Sequence, residues 1–240
     1  MVTDAQPSKK SIDRAATLLR DWVSDGSNFA EWTRAHAQAV DLVWDYRKSF
    51  RYPLTKINVG LRQFVGRESA EVVVSSRLKR LPTILDKLAR LPNMKITRMQ
   101  DIGGCRAVLA APAEVQGVMK RIHKNWDVVE VYDYEANPKP RTGYRAKHVV
   151  VRRDGCLCEL QLRTPSQHRW ALEIERTGSR LGLPRLKDGE GPGDLVRYFE
   201  LASYVLSLEE TGEMADDALV AEFRALRVAV APYFQQTTTS

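Results

Sequence analysis

The most informative segment of the sequence is His148-Val149-Val150-Val151-Arg152-Arg153-Asp154-Gly155-Cys156-Leu157-Cys158-Glu159-Leu160-Gln161-Leu162-Arg163. Its Asp154-Gly155 dipeptide is typical of a two-residue hairpin turn, and strand-like sequence flanks the dipeptide at 148–152 and 157–163. Side chains alternate along a strand, so the second strand has a polar face, Glu159, Gln161 and Arg163, and an apolar face, Cys158, Leu160 and Leu162. The segment therefore predicts an antiparallel hairpin with its apolar face in the core. The polar face is either solvated or a covered site.

The rest of the chain alternates between helical and strand-like periodicity. Strands are expected over 72–74, 104–109 and 128–132, and helices over 12–23, 29–50, 78–91, 112–126, 166–180, 195–208 and 214–228. The segment 54–71 suits a strand or a helix, and we favour a helix. This order predicts an α+β fold, in which a mixed sheet of about five strands is surrounded by helices, with helical flanks at both termini.

Three regions follow from this pattern. We expect an N-terminal helical flank at 1–71, a core at 72–181 and a C-terminal helical extension at 182–240. The flank should pack on the core through Trp32, Leu42, Val43 and Tyr46, which recur at helical spacing. Its second helix is expected to end at Tyr52-Pro53.

Composition and charge limit the class of protein. The 240 residues are 43% hydrophobic and 28% charged, which excludes collagen-like, low-complexity and wholly disordered chains. A formal net charge of +7 favours phosphates, nucleotides or nucleic acid as partners. The three cysteines form neither a disulfide framework nor a zinc motif, and no apolar run approaches the roughly 18 residues of a membrane span. We expect a cytoplasmic protein with reduced thiols and no membrane partner.

Two acidic positions are candidates for metal binding. Asp101 precedes Gly103-Gly104 and a predicted strand, and by itself this pattern is equally typical of a turn. If Asp101 and Glu159 lie at neighbouring strand positions, they offer two oxygen ligands to Mg²⁺, which would complete its shell with water and substrate phosphates.

Two basic segments are candidates for phosphate or nucleotide binding. Lys79, Thr83 and Lys87 recur at helical spacing, so they form either a solvated stripe or a stripe that faces polyphosphate. The turn-rich segment between the third strand and the hairpin, hereafter the 133–144 loop, interleaves aromatic and basic residues, a pattern that suits a nucleotide or a single-stranded nucleic-acid end. A poorly ordered surface loop is the alternative.

Five short motifs in order resemble the RelA/SpoT-type alarmone synthetase domain, over about 72–178. They are Arg77-x-Lys79-x-x-x-Thr83-Ile84-x-x-Lys87, Asp101-Ile102-x-Gly104-x-Arg106, Asp133-Tyr134 with Pro138-Lys139, Gly143-Tyr144-Arg145-x-x-His148, and Glu159-x-Gln161-x-Arg163-Thr164. The chain length resembles that of a small, single-domain member.

The resemblance implies an activity and a set of site residues. It implies Mg²⁺-dependent transfer of the β,γ-diphosphate of ATP to the ribose 3′-hydroxyl of GDP or GTP, which makes ppGpp or pppGpp. Asp101 and Glu159 would be the catalytic residues and metal ligands, with Glu159 activating the attacking hydroxyl. The resemblance assigns ATP binding to Arg77, Lys79, Lys87 and Arg106, acceptor binding to Lys139, Tyr144 and His148, and supporting roles to Gln161 and Arg163.

The acceptor stays open between two alternatives. Thr142 and the segment Arg145-Ala146-Lys147 depart from the pattern of the nucleotide-using members. The bases Arg141, Arg145 and Lys147 would suit the 3′ end of tRNA, the acceptor of a toxin-like branch for which an antitoxin protein is a candidate partner. A catalytically silent nucleotide-binding module is a third interpretation, and the sequence makes no prediction of the oligomeric state.

Overall fold

A computed structural model describes residues 7–26, 32–66 and 73–235. Within these residues the chain forms eight α-helices and five β-strands, so the predicted α+β class is confirmed. The helices are α1 (Lys9–Ser24), α2 (Arg34–Ser49), α3 (Arg51–Val65), α4 (Leu81–Arg90), α5 (Pro112–Asn125), α6 (Pro165–Arg180), α7 (Gly193–Thr211) and α8 (Asp217–Gln235). The strands are β1 (Val73–Leu78), β2 (Gly103–Val108), β3 (Asp127–Asp133), β4 (Lys147–Arg153) and β5 (Cys156–Arg163).

The five strands form one mixed sheet in the order β1-β2-β5-β4-β3. Only β2 and β5 are parallel, whereas the other neighbours are antiparallel. The predicted hairpin is β4–β5, and its turn residues Asp154 and Gly155 both have positive φ, at 49° and 78°. Two consecutive positive φ values match the right-handed twist of paired strands, which explains why this dipeptide stands here.

The apolar face of the sheet packs against the N-terminal helices. One core cluster joins Leu19 of α1, Val43 of α2 and Leu61 of α3 to strand residues such as Cys158 and Leu160. Trp32, Leu42 and Tyr46 pack against this cluster and are partly buried. Burial raises the pKa of the core thiols Cys105 and Cys158 to about 12. The division of the chain at 71 and 181 remains a prediction.

Two predicted boundaries are wrong. The helix expected over 78–91 begins at Leu81, because β1 pairs with β2 as far as Leu78 and the Lys79 amide still donates to the Ile102 carbonyl at 2.8 Å. Tyr52-Pro53 does not end a helix, since α2 ends at Ser49 and Pro53 lies in the first turn of α3. A proline is tolerated there because the first helical N–H groups have no intrahelical partner. Residues 29–31 of the helix predicted over 29–50 lie outside the described residues. Residues 67–72, which belong to the helix predicted over 54–71 and the strand predicted over 72–74, also lie outside them.

The C-terminal helices form a second, smaller cluster beside the sheet. Trp170 and Ile174 of α6 pack with Phe199 of α7 and Val230 of α8. The indole N–H of Trp170 donates to the Phe199 carbonyl at 2.8 Å. None of the described helices has the length and apolar content needed to cross a membrane.

We predict that deleting residues 1–50 makes the protein aggregate. The deletion removes α1 and α2 and exposes the apolar surface on which they pack, and exposed patches of this kind drive association. Size-exclusion chromatography of the truncated and full chains tests this expectation. Deleting only residues 1–6, which precede the α1 N-cap Ser8, is the control. A soluble and fully active 51–240 fragment would contradict the prediction.

Candidate active site

The strand register brings the predicted site residues onto the face of the sheet opposite the core. Across β2 and β5, Arg106 is paired with Gln161 and Gly104 with Glu159, and across β4 and β5, His148 is paired with Gln161. Directly paired residues share a face, so this polar face carries Arg77, Arg106, His148, Glu159, Gln161 and Arg163. Four strands thus contribute to one cluster.

Two hydrogen-bond chains start at the Arg163 guanidinium and meet at the Glu159 carboxylate. In one chain, Arg163 donates to Gln161 Oε1 at 3.0 Å, and Gln161 Nε2 donates to Glu159 Oε2 at 2.9 Å. In the other, Arg163 donates to the Tyr144 hydroxyl at 2.7 Å, which lies 2.6 Å from His148 Nε2. His148 Nδ1 lies 3.0 Å from Glu159 Oε1. If Tyr144 donates to Nε2, Nδ1 carries the proton that binds Glu159, and each of these five hydrogen bonds has one donor and one acceptor.

The Glu159 carboxylate is held in its ionised form. Burial alone would raise its pKa, but the hydrogen bonds from His148 and Gln161 act in the opposite direction, so the pKa lies below its ordinary value. The negative charge of Asp101 opposes these hydrogen bonds and raises the pKa of Glu159.

Asp101 lies between two lysines that come from different elements. Lys79, in the connection between β1 and α4, donates to Asp101 Oδ2 at 2.9 Å, and Lys87, in the last turn of α4, donates to Oδ1 at 2.9 Å. Burial would raise the Asp101 pKa, but the Lys87 and Lys79 charges lower it. The predicted helical stripe of Lys79, Thr83 and Lys87 is wrong because Lys79 precedes the helix. The two ammonium groups nevertheless converge on one carboxylate.

The Asp101 and Glu159 oxygens suit a hard divalent cation. Both carboxylates are ionised and largely buried, and oxygen-only donor sets are preferred by Mg²⁺. Among the described residues no group of three or more His, Cys, Asp or Glu side chains could hold a metal ion. A cation at this point would therefore need further oxygens from water or substrate.

A second part of the polar face is a cluster of cations that includes Arg77, Arg106 and Arg163. Burial and the neighbouring charges of Arg163 and Arg77 lower the pKa of Arg106. The Nε atoms of Arg106 and Arg163 are buried and have no hydrogen-bond partner among the described residues. His168, in the first turn of α6, has its pKa lowered by burial and then by Arg106 and Arg163. His168 was not among the site residues expected from the sequence, although its place just after Arg163-Thr164 could have indicated it.

The 133–144 loop is ordered by its own contacts. Lys139 Nζ lies 5.2 Å from the ring centroids of both Tyr134 and Tyr144, and burial lowers the pKa of Lys139. Asp133 accepts hydrogen bonds from the amides of Glu135 and Ala136 at 3.1 and 3.0 Å. The loop is therefore structured, and the alternative of a poorly ordered surface loop is wrong.

Two of the three bases expected to face nucleic acid are paired inside the protein. Arg145 is 9% exposed and bonds to Glu210 of α7 at 2.9 Å. Lys147 is 6% exposed and lies 2.5 Å from Asp133 and 3.2 Å from Glu135. Only Arg141 of this set is exposed, so two of the three bases that would suit tRNA are occupied inside the protein.

The chain has the architecture of a mixed-sheet α+β domain whose polar face gathers two carboxylates and a surplus of cations. Residues 76–177 match the family model described as a region found in RelA/SpoT proteins, and the chain therefore contains a RelA/SpoT domain. Uncharacterized proteins from Mycobacterium tuberculosis (strain H37Rv) and Mycobacterium bovis are 29% identical to it over 171 residues. The match covers 68% of this chain, and the chain spans only 56% of the length of these relatives.

Solved structures of small alarmone synthetases share the fold. Bacillus subtilis small alarmone synthetase 1 bound to its product pppGpp has a TM-score of 0.60 at 24% identity, covering 73% of this chain and 93% of that chain. The same protein bound to AMPCPP has a TM-score of 0.54 at 21% identity, and the match covers 78% of this chain and 98% of that chain. Small alarmone synthetase 2 from Bacillus subtilis has a TM-score of 0.59 at 19% identity, and the match covers 69% of this chain and 93% of that chain. The chain is thus similar to small alarmone synthetases in fold.

Proposed function

We propose that this protein transfers the β,γ-diphosphate of ATP to the ribose 3′-hydroxyl of GDP or GTP. The observation that carries the proposal is the Glu159 carboxylate, which is buried, ionised and fixed by two converging hydrogen-bond chains beside the lysine-bound Asp101. In the reaction the 3′-oxygen would attack the β-phosphorus, the bond from that phosphorus to the α-phosphate oxygen would break, and AMP would leave. Glu159 would accept the hydroxyl proton or orient the hydroxyl for attack.

The other residues would hold and neutralise the substrates. Arg77 and Arg106 would lie on either side of the adenine, while Lys79 and Lys87 would turn from Asp101 toward the ATP phosphates. Mg²⁺ held by Asp101 and Glu159 would neutralise charge on the transferred diphosphate. Because phosphoryl transfer depends mainly on positioning and charge neutralisation, the fixed cations and the ionised carboxylates suit it.

The acceptor side points to a free guanine nucleotide. Lys139 has no carboxylate within ion-pair distance among the described residues, so its ammonium group is available for an acceptor phosphate. The loop also borders a groove of about 940 Å³ whose lining includes six carboxylates, those of Glu135, Glu200, Glu210, Glu213, Asp216 and Glu222. Arg145, Lys147 and Arg197 pair with four of these carboxylates, and Lys139 also lines the groove, so the excess of acid is small but still disfavours a polyanion such as tRNA. The resemblance in fold to a synthetase bound to pppGpp and to AMPCPP also supports this acceptor class.

One incubation tests the proposed function. The full chain is mixed with γ-labelled ATP and Mg²⁺, and GDP, GTP, ATP or deacylated tRNA is offered separately. We expect label on GDP and GTP, with AMP formed in equal amount. Label on tRNA alone would establish the tRNA acceptor of the toxin-like alternative, and no label on any acceptor would indicate a silent nucleotide-binding module.

We predict that Tyr144→Ala raises the KM for GDP about 10- to 100-fold and leaves the KM for ATP unchanged. The expected loss combines base stacking, worth about 1–3 kcal/mol, with release of His148 and Lys139 from their places beside the ring. Arg106→Ala should show the reverse pattern. Steady-state kinetics with each substrate varied in turn measures both constants.

The hydroxyl and the ring of Tyr144 can be separated. Tyr144→Phe keeps the ring but removes the bonds to Arg163 and His148, so we expect a loss of about tenfold or less in kcat. Tyr52→Ala, at an exposed tyrosine on α3, is the matched control and should behave as wild type. Loss of ATP affinity in Tyr144→Ala with GDP affinity intact would show that the two half-sites are inverted.

A further inference from the structure

Helix α7, the first of the two helices in the C-terminal extension, contacts the 133–144 loop and the following residue Arg145 through three hydrogen bonds. Ser203 Oγ donates to the Gly143 carbonyl at 2.5 Å, and Arg145 donates to the Ser203 carbonyl at 3.3 Å and to Glu210 Oε2 at 2.9 Å. A Cβ at Gly143 would lie 3.1 Å from the Glu200 carbonyl oxygen and 3.1 Å from Ser203 Cβ, so the loop backbone lies directly against the helix. Helix α7 is outside the part of the chain that matches the family model.

Glu210 joins two segments that meet in the site. One carboxylate oxygen binds Arg145, and the other accepts a hydrogen bond from the Thr164 hydroxyl, which caps α6. Arg145 and Thr164 directly follow Tyr144 and Arg163, whose side chains bond to each other at 2.7 Å. Glu210 therefore braces the Tyr144–Arg163 pair through the neighbouring residues Arg145 and Thr164.

The Arg145–Glu210 ion pair that forms this brace is buried. The side chains of Arg145 and Glu210 are each 10% exposed, so solvent screens their attraction little. Within the loop, the Gly143 amide donates to the Lys139 carbonyl at 2.9 Å and the Lys139 amide donates to the Tyr144 carbonyl at 3.1 Å. A shift of Arg145 would therefore move Tyr144 and Lys139 together.

We infer that Glu210 is a positioning residue, which through Arg145 and Thr164 holds the 133–144 loop in the conformation that receives the acceptor nucleotide. This inference rests on the proposed function for the identity of the acceptor. It assigns a role to Glu210 of α7, which lies 62 positions beyond His148, the last acceptor residue in the sequence. The ATP side should be independent of the brace, because no residue of α7 bonds to Arg77, Lys79 or Lys87 among the described contacts.

The test compares Glu210→Ala with Glu209→Ala in the full chain. Glu209 is the next residue along the same helix and is exposed, so it is the matched control. Hydrogen–deuterium exchange of peptides covering 138–147 should be about tenfold faster in Glu210→Ala and unchanged in Glu209→Ala. The KM for GDP should rise about 10- to 100-fold in Glu210→Ala with the KM for ATP within about twofold of wild type.

Two further variants separate positioning from a general loss of stability. Glu210→Gln can keep one bond to Arg145 or Thr164 and should recover part of the GDP affinity. Ser203→Ala removes the bond to Gly143 without leaving a buried charge, so it should fold and shift the GDP constant in the same direction by a smaller factor. Thermal unfolding of each variant reports whether it is folded.

The outcomes distinguish this inference from the proposed function. Unchanged exchange of the loop in Glu210→Ala, or an equal loss of ATP and GDP affinity, would overturn the inference. Calorimetric binding of GDP and ATP gives the same comparison without turnover. Intact GDP binding by a wild-type protein that transfers no diphosphate would overturn the proposed function alone, whereas absence of GDP binding would overturn both.

Discussion

Glu159→Gln is expected to lower the rate of diphosphate transfer by about two to four orders of magnitude, the range for loss of a general base. The amide cannot accept the hydroxyl proton, and it carries no charge to help hold Mg²⁺. It also places an NH₂ group against one of two donors, His148 Nδ1 or Gln161 Nε2. One hydrogen bond is therefore lost, at about 1 kcal/mol.

The fold of the Glu159→Gln variant should survive. A loss of about 1 kcal/mol lowers Tm by about 2–4 °C in a chain of this size. Initial rates with labelled ATP and GDP, together with thermal unfolding, measure both quantities. Glu130→Gln, at an exposed carboxylate on the same face of the sheet, is the control and should retain the wild-type rate. A Glu159→Gln rate above a tenth of the wild-type rate would show that Glu159 is not the general base.

Asp101→Asn should lower the rate of diphosphate transfer by about two to four orders of magnitude, as for Glu159→Gln. The remaining rate should not depend on Mg²⁺. The carboxylate is expected to bind the metal while Lys79 and Lys87 move to phosphate, and an amide is a much poorer ligand for a hard cation. Removing divalent ions from the wild type with a chelator should give a comparable loss of about two to four orders of magnitude. Titration of Mg²⁺ into both proteins at saturating ATP and GDP measures this dependence.

The control for Asp101 is a carboxylate on α4. Asp86 is exposed and pairs with Arg90, so Asp86→Asn should keep both the wild-type rate and its metal dependence. Wild-type activity without any divalent ion would refute the metal role of both carboxylates. Full Mg²⁺ dependence in an active Asp101→Asn variant would refute it for Asp101 alone.

The same carboxylates give stability a defined dependence on pH. The folded-state pKa values of Asp101 and Glu159 are lowered, so their contribution to stability is complete above their unfolded pKa values, about 4, and is lost as pH falls through the folded values. Asp101→Asn should therefore flatten the decline in stability below about pH 4. Unfolding in denaturant at several acidic pH values gives the slope for both proteins.

The sequence by itself determined the local parts of this site. The Asp154-Gly155 turn fixes the hairpin, because few dipeptides adopt two positive φ angles, and strict alternation along β5 fixes that Glu159, Gln161 and Arg163 share the face opposite Leu160. The ordered motifs carried the resemblance that the match over 76–177 bears out. All of this depends on residues close together in the chain.

Only the tertiary structure decided which groups meet. The sequence from 78 to 91 has helical periodicity, but the pairing of β1 with β2 continues to Leu78 and α4 begins only at Leu81. Lys79 therefore lies before the helix and not on its predicted stripe. Arg145 and Lys147 look like free bases in the sequence, but acids from α7 and from the 133–144 loop neutralise them. Periodicity and turn chemistry are set by residues that are neighbours in the sequence. The partner of a buried charge is set by the element that packs opposite it. For Arg145 that partner is Glu210, which lies 65 positions away in the sequence.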